Sequence, residues 1–167
     1  MNRNLSIALV SLMAVALGLW LAQGCADRDE RLIRKALEEL REAGEMSQTE
    51  NTFTAAASAR RIGAYFTDDV QANYRRLPMP ITNRRQLEQV AFQVRSRMES
   101  IDIRIRGGEL DLERGETNAV MRLAAQIALR GGGGSEASWE EVELTWNKHD
   151  GQWKIANVRP LETIRTP

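Results

Sequence analysis

The feature that most constrains the fold is a change in the spacing of apolar residues near position 100. Before it, apolar side chains recur every three or four residues, as they do on one face of an amphipathic helix. After it they alternate with polar ones, beginning with the run IDIRIR at 101–106, as they do along a half-buried strand. The order predicts an α+β fold, with N-terminal helices packed on an antiparallel sheet.

Three helices are predicted before the change. The first covers about 29–43 and ends at Gly44. The second is predicted to start at Ser47, because Glu50 three residues later completes a capping box, and to run through Phe53 to about 65–66. The third starts near Asn83, because Gln86 three residues later again fits a capping box. Its apolar stripe has helical spacing: Leu87, Val90, Ala91, Val94 and Met98.

Turn residues divide the second half into strands. Gly107–Gly108 and Gly115–Glu116 are predicted to turn the chain, and 131–135 to form a flexible hairpin tip. A long strand is predicted over 117–130, although its many alanines leave a helix as the competing interpretation.

Asp150–Gly151 is a strong signal for a two-residue hairpin loop. Such a loop would place Trp146 opposite Ile155, with Trp153 diagonal on the same face. This arrangement favours the tryptophan pair as core or as a pocket wall over a stacking platform for sugars or bases.

The first 24 residues differ from the rest. They contain one base, Arg3, and no acid, and the apolar run 5–22 is typical of a secretory signal peptide. Its length would also just span a bilayer, so an uncleaved anchor and simple secretion stay open as alternatives. The segment LAQGC at 21–25 resembles the lipobox of bacterial lipoproteins: Gly24 and Cys25 match it, whereas Leu21 lies one position early.

That resemblance implies cleavage before Cys25 and acylation of its thiol and new amine, and several acyl chains give durable anchoring. It divides the chain into a signal peptide (1–24), a lipidated tether (25–28) and one domain (29–167). Ala26 in the second mature position implies export to the outer membrane. The expected location is therefore the cell envelope, lipid-anchored and facing the periplasm.

Composition excludes several classes of protein and site. The chain has 23 basic and 23 acidic residues, so it lacks the positive excess of a nucleic-acid binder. Cys25 is the single cysteine, which excludes an intrachain disulfide and multi-cysteine metal motifs. His149, the single histidine, lies in the predicted hairpin turn and supplies too few ligands for a metal. Neither a metal nor a cofactor is expected.

Two segments and the third helix together resemble a known superfamily. Residues 65–70 read YFTDDV, and 146–155 read WNKHDGQWKI, a closing hairpin common among nuclear-transport-factor-2-like proteins, which include SnoaL-like and cystatin-like domains. The resemblance covers about 28–165. It implies three helices packed on a curved antiparallel sheet, forming a cone whose open end holds ligands in relatives.

The first functional hypothesis is a non-enzymatic envelope lipoprotein. Its domain would bind a partner protein or a small apolar ligand in the cone, with Tyr65, Arg122, Trp146 and Trp153 as pocket residues. Self-association as a homodimer through the outer sheet face belongs to the same hypothesis.

The alternative is a small enzyme of the polyketide-cyclase or ketosteroid-isomerase type. The resemblance implies a carboxylate base, Asp68 or Asp69, and a tyrosine donor, Tyr65 or Tyr74, meeting inside the cone. The plain interpretation of the same residues is that the aspartates make turn and solvent contacts and that Tyr65 packs in the core.

Overall fold

The computed structural model describes residues 28–73, 80–113, 115–131 and 134–161. Within these ranges it contains helices α1 (28–44), α2 (Thr52–Gly63) and α3 (Arg84–Arg97), and strands β1 (Phe66–Ala72), β2 (Ser100–Asp111), β3 (Asn118–Gly131), β4 (Gly134–His149) and β5 (Gln152–Pro160). The predicted signal peptide, Cys25 and Tyr74 lie outside the described residues. No helix in these ranges is long and apolar enough to cross a bilayer.

The five strands form one curved sheet in the order β1-β5-β4-β3-β2. Strands β2 to β5 form the predicted antiparallel meander. These elements confirm the predicted α+β class. Strand β1 pairs with β5 in parallel, however, so the prediction of a wholly antiparallel sheet is wrong. Strand β1 can pair with β5 in the parallel sense because α3 and strands β2 to β4 lie between them in the sequence, which gives the chain the length to cross over.

Strand β1 begins where the second helix was predicted to end, at about 65–66. Helix α2 ends at Gly63, and the chain turns directly into β1. The register of β1 against β5 shifts between Phe66 and Gln71, and such a bulge interrupts the alternation that identifies a strand. Phe66, Thr67 and Val70 are buried in this strand.

The start of α2 also differs from the prediction. Asn51 caps the helix, and its side chain accepts a hydrogen bond from the Thr54 backbone N–H at 2.9 Å. Ser47 therefore does not cap it, and Glu50 binds elsewhere, as described below. Phe53 is 90% exposed and takes no part in the core.

The cap of α3 is confirmed. The Asn83 side chain accepts from the Gln86 backbone N–H at 3.0 Å. The Gln86 side chain accepts in return from the backbone N–H of Thr82 at 2.9 Å, one residue before the position that a capping box predicts.

Gly107–Gly108 does not turn the chain. Strand β2 continues through both residues, with φ angles of 74° and 119° and a register shift between Gly107 and Glu109. The pair forms a bulge, which glycine permits because it has no Cβ.

The Asp150–Gly151 turn is confirmed by φ angles of 49° and 77°, and Trp146 lies opposite Ile155 as predicted. The two tryptophans of this hairpin, Trp146 and Trp153, are both buried. The largest side chains with almost no exposure are Trp146, Ile33, Met121, Ile155 and Val70.

Candidate functional site: an apolar cavity between helices and sheet

An apolar cavity of about 430 Å³ lies between the helices and the inner face of the sheet. Its size falls within the range of small-molecule sites. Aliphatic side chains dominate its lining, among them Leu40, Val94, Ile103, Leu123, Ile127 and Val142.

The alternation of β3 builds the cavity floor. Leu123, Ala125, Ile127 and Leu129 face inward along this strand. Ala125, and Ala91 on α3, have short side chains, which leave space where larger residues would fill the core. The cavity reaches the surface beside Ile127, which lines it and is 46% exposed. We call this opening the mouth.

Two charged residues line the cavity, Arg41 and Arg95. The Arg41 guanidinium binds Glu38, with Nη2 at 2.7 Å from Oε1, and also binds Glu45. Because carboxylates neutralise this arginine, it adds no unpaired charge to the cavity wall.

Arg95 is 3% exposed and joins three parts of the chain. Its guanidinium donates to the Glu50 carboxylate through Nε at 2.8 Å and Nη2 at 2.7 Å. The other N–H groups donate to the carbonyls of Ala43, Gly44 and Glu45 at 3.2, 2.9 and 3.2 Å. All five guanidinium donors are therefore used, and the end of α1 is capped.

Arg95 was not among the residues predicted from the sequence, although a signal was present. It lies four residues after Ala91, on the apolar stripe of the predicted helix. A buried arginine needs an acidic partner, and Glu50 supplies it. The hydrogen bonds from Arg95 lower the pKa of Glu50 against the opposing effect of its partial burial.

The predicted pocket residues lie outside this cavity. Arg122 is on the outer sheet face, because its neighbour Leu123 faces inward, and its Nε lies 3.0 Å from Glu143. Glu143 also binds Arg159 at 2.6 Å, and hydrogen bonds, first that from Arg122, lower its pKa.

The other three predicted pocket residues also have different surroundings. Trp146 is fully buried in the core, and the Trp153 indole N–H donates to Asp29 at 3.2 Å. The Tyr65 hydroxyl donates to Glu39 on α1 at 3.4 Å. Burial is the main cause that raises the pKa of Tyr65, and Glu39 adds to it. The structure does not place Tyr65, Trp146 or Trp153 among the lining residues of the cavity.

The two candidate bases lie on the surface. The Asp68 side chain is 83% exposed and binds Arg84 at 2.8 Å, and Asp69 is exposed beside it. Among the residues that the structure describes, no aspartate or glutamate lines the cavity together with a tyrosine. The proton-transfer pair of the enzyme hypothesis is therefore not assembled by Tyr65, Asp68 and Asp69.

The aspartates instead border a polar cleft of about 290 Å³, which is lined by Thr67, Asp68, Asp69, Arg84, His149 and Lys154. The Thr67 hydroxyl is buried and has no hydrogen-bond partner in the described part of the chain. Within the same ranges, no three histidine, cysteine or acidic side chains form a group that could hold a metal.

The sequence profile of the SnoaL-like domain matches residues 42–159, which is most of the chain. The chain belongs to the SnoaL-like family. Curated protein sequences gave no match to it.

Solved structures agree with the family. A protein from Novosphingobium aromaticivorans, provisionally named scytalone dehydratase, superposes with a TM-score of 0.64 at 16% identity, covering 80% of this chain and 85% of that one. A nuclear-transport-factor-2-like protein with a cystatin-like fold from the same species gives 0.61 at 10% identity, covering 92% and 90%. A conserved protein from Planctomyces limnophilus gives 0.63 at 19% identity, covering 81% and 99%. At these identities the likeness establishes the fold and carries no activity to this SnoaL-like chain.

Proposed function

We propose that this SnoaL-like protein is a lipid-anchored envelope protein that binds a small apolar ligand in its cavity without proton-transfer chemistry. The observation that carries the binding proposal is the lining of the cavity, which is apolar apart from two arginines that carboxylates already engage. Burial of apolar ligand surface would supply the affinity, at roughly 25 cal/mol per Å².

The same lining argues against a polar substrate. A polar group that entered the cavity would lose its hydrogen bonds to water and find few new partners. A general base must also lie within hydrogen-bond reach of the proton that it removes, and Asp68 and Asp69 lie in the surface cleft instead. The name scytalone dehydratase belongs to the Novosphingobium protein that carries it. The apolar lining of the cavity in this chain supports ligand binding better than a dehydration reaction.

The binding proposal can be tested with N-phenyl-naphthylamine, a dye that fluoresces in apolar sites. Ala125→Phe would fill the cavity from β3, whereas Ala124→Phe adds the same bulk to the opposite face of the strand. We expect Ala125→Phe to weaken dye binding by about tenfold or more, which corresponds to ~1.4 kcal/mol, and Ala124→Phe to leave it unchanged. If the Ala125→Phe protein bound the dye as tightly as the wild-type protein, the result would contradict the proposal.

The anchoring proposal is supported by the lipobox-like residues ahead of Cys25 and by the apolar run at 5–22. In cells fed labelled palmitate, the wild-type protein and an Ala26→Ser control should be labelled and sediment with membranes. Cys25→Ser should lose the label and migrate as a longer, unprocessed chain. Unchanged mobility and an unchanged membrane fraction for Cys25→Ser would refute lipidation. Self-association through the outer sheet face stays a prediction.

A further inference from the structure

Helix α1 runs from one end of the cone to the other. Near its start, the Asp29 carboxylate accepts from Lys148 Nζ at 2.8 and 2.9 Å and from the Trp153 indole N–H. Both partners belong to the β4–β5 hairpin beside its turn. We call this the closed end.

The other end of α1 lies beside the mouth. Gly44 lies so close to Ile103 that a Cβ at this glycine would be 2.5 Å from the isoleucine Cδ1, and Ile103 pairs with Ile127. Gly44 lies fifteen positions after Asp29, so the mouth lies about 22 Å from the closed end along the helix axis.

The tether is shorter than that distance. Only three residues separate Cys25 from Asp29, and four Cα–Cα steps of 3.8 Å span at most about 15 Å. An acylated Cys25 at the membrane surface would therefore hold Asp29 near that surface. An upright domain with its mouth against the bilayer would raise Asp29 about 22 Å above the surface, which is beyond the reach of the tether.

We propose that the anchored domain docks on the bilayer through its closed end, so that the mouth of the cavity faces away from the membrane. This inference rests on the proposed lipidation of Cys25. The docking partner is the headgroup layer of a bilayer with anionic lipids, because residues 28–35 at the start of α1 carry four basic and two acidic side chains, a net charge of +2. The apolar ligand then reaches the cavity from the aqueous side rather than directly from the lipid.

The single cysteine makes a direct test practical. Once Cys25 is acylated, an introduced cysteine is the one free thiol of the protein. Gln152→Cys places a fluorophore at the closed end, and Gln48→Cys places it two residues after Met46, which bridges to Ile101 near the mouth. Both positions are exposed. The full lipidated protein is reconstituted in phosphatidylethanolamine–phosphatidylglycerol vesicles that contain headgroup-labelled nitroxide lipid.

We expect the nitroxide to quench most of the fluorescence at position 152 and little at position 48. A control with twenty Gly/Ser residues inserted after Ala26 should stay on the vesicles and lose most of this difference. Equal quenching at both sites on vesicle-bound protein, or stronger quenching at position 48, would overturn the orientation alone. Protein that fails to bind vesicles and carries no lipid would overturn the anchor and the orientation together.

Discussion

Arg95 offers the sharpest test of how the helices are held over the cavity. Arg95→Met removes all five donors, which leaves the Glu50 carboxylate and the carbonyls at the end of α1 without them. The side chains of Arg95 and Glu50 are 4% and 13% exposed. Removing one partner of a buried pair costs about 3–5 kcal/mol, and the partial exposure of Glu50 favours the lower end, about 3 kcal/mol.

Urea unfolding followed by circular dichroism measures this loss. With a slope of about 1.5 kcal/mol per M, a loss of 3 kcal/mol lowers the midpoint by about 2 M. Arg97→Met is the matched control, because Arg97 lies on the same helix but is exposed, and it should change stability by less than about 0.5 kcal/mol.

A double variant separates the ion pair from the cap. Replacing Glu50 and Arg95 together by methionine removes both buried charges, so it should recover part of the stability that Arg95→Met loses. The reasoning would be refuted by an Arg95→Met loss below about 1 kcal/mol, or by an equal loss in Arg97→Met.

Three further predictions use the same unfolding assay. Because Arg95 lowers the pKa of Glu50 in the folded state, the stability from this pair is present above the unfolded glutamate pKa of about 4.3 and is lost as pH falls through the folded value. Glu50→Gln should therefore destabilise the protein at pH 7 and lose this difference in acid, and a difference independent of pH would count against the pair. Gly151→Ala places a Cβ at φ 77° and should cost about 1 kcal/mol; an unchanged midpoint would contradict the turn geometry. Asn83→Ala removes the α3 cap and should cost about 1 kcal/mol, whereas no loss would mean that the cap is not formed in solution.

The elements that local signals define were predictable from sequence. The spacing of apolar residues located three helices and the meander, and Asp150–Gly151 set the register of Trp146 against Ile155. Each of these features depends on neighbours in the chain, so a short window of sequence carries the information.

The features that depend on distant partners were not predictable in this way. Strand β1 exists because it pairs with β5 more than 80 residues later, and its paired aspartates favour a turn when read locally. Gly107–Gly108 permits either a turn or a bulge, and only the pairing of β2 with β3 decides between them.

The cavity has the same origin. Its lining comes from side chains of both helix and sheet, and apart from Arg41 and Arg95 these have the sequence signature of ordinary core. Arg122 was predicted in the pocket, yet the alternation of β3 places it on the outer face beside Glu143. A space left by short side chains has no local sequence signal, so the site could be found only in the structure.

The central claim is that this cavity holds an apolar ligand, and methyl NMR tests it most directly. Protein labelled at isoleucine methyl groups is titrated with N-phenyl-naphthylamine. We predict that the methyl signals of Ile103 and Ile127, which line the cavity, shift with increasing dye, while those of Ile33 and Ile81, buried elsewhere in the core, stay in place. Signals that do not shift at Ile103 and Ile127 while the dye binds would contradict the claim.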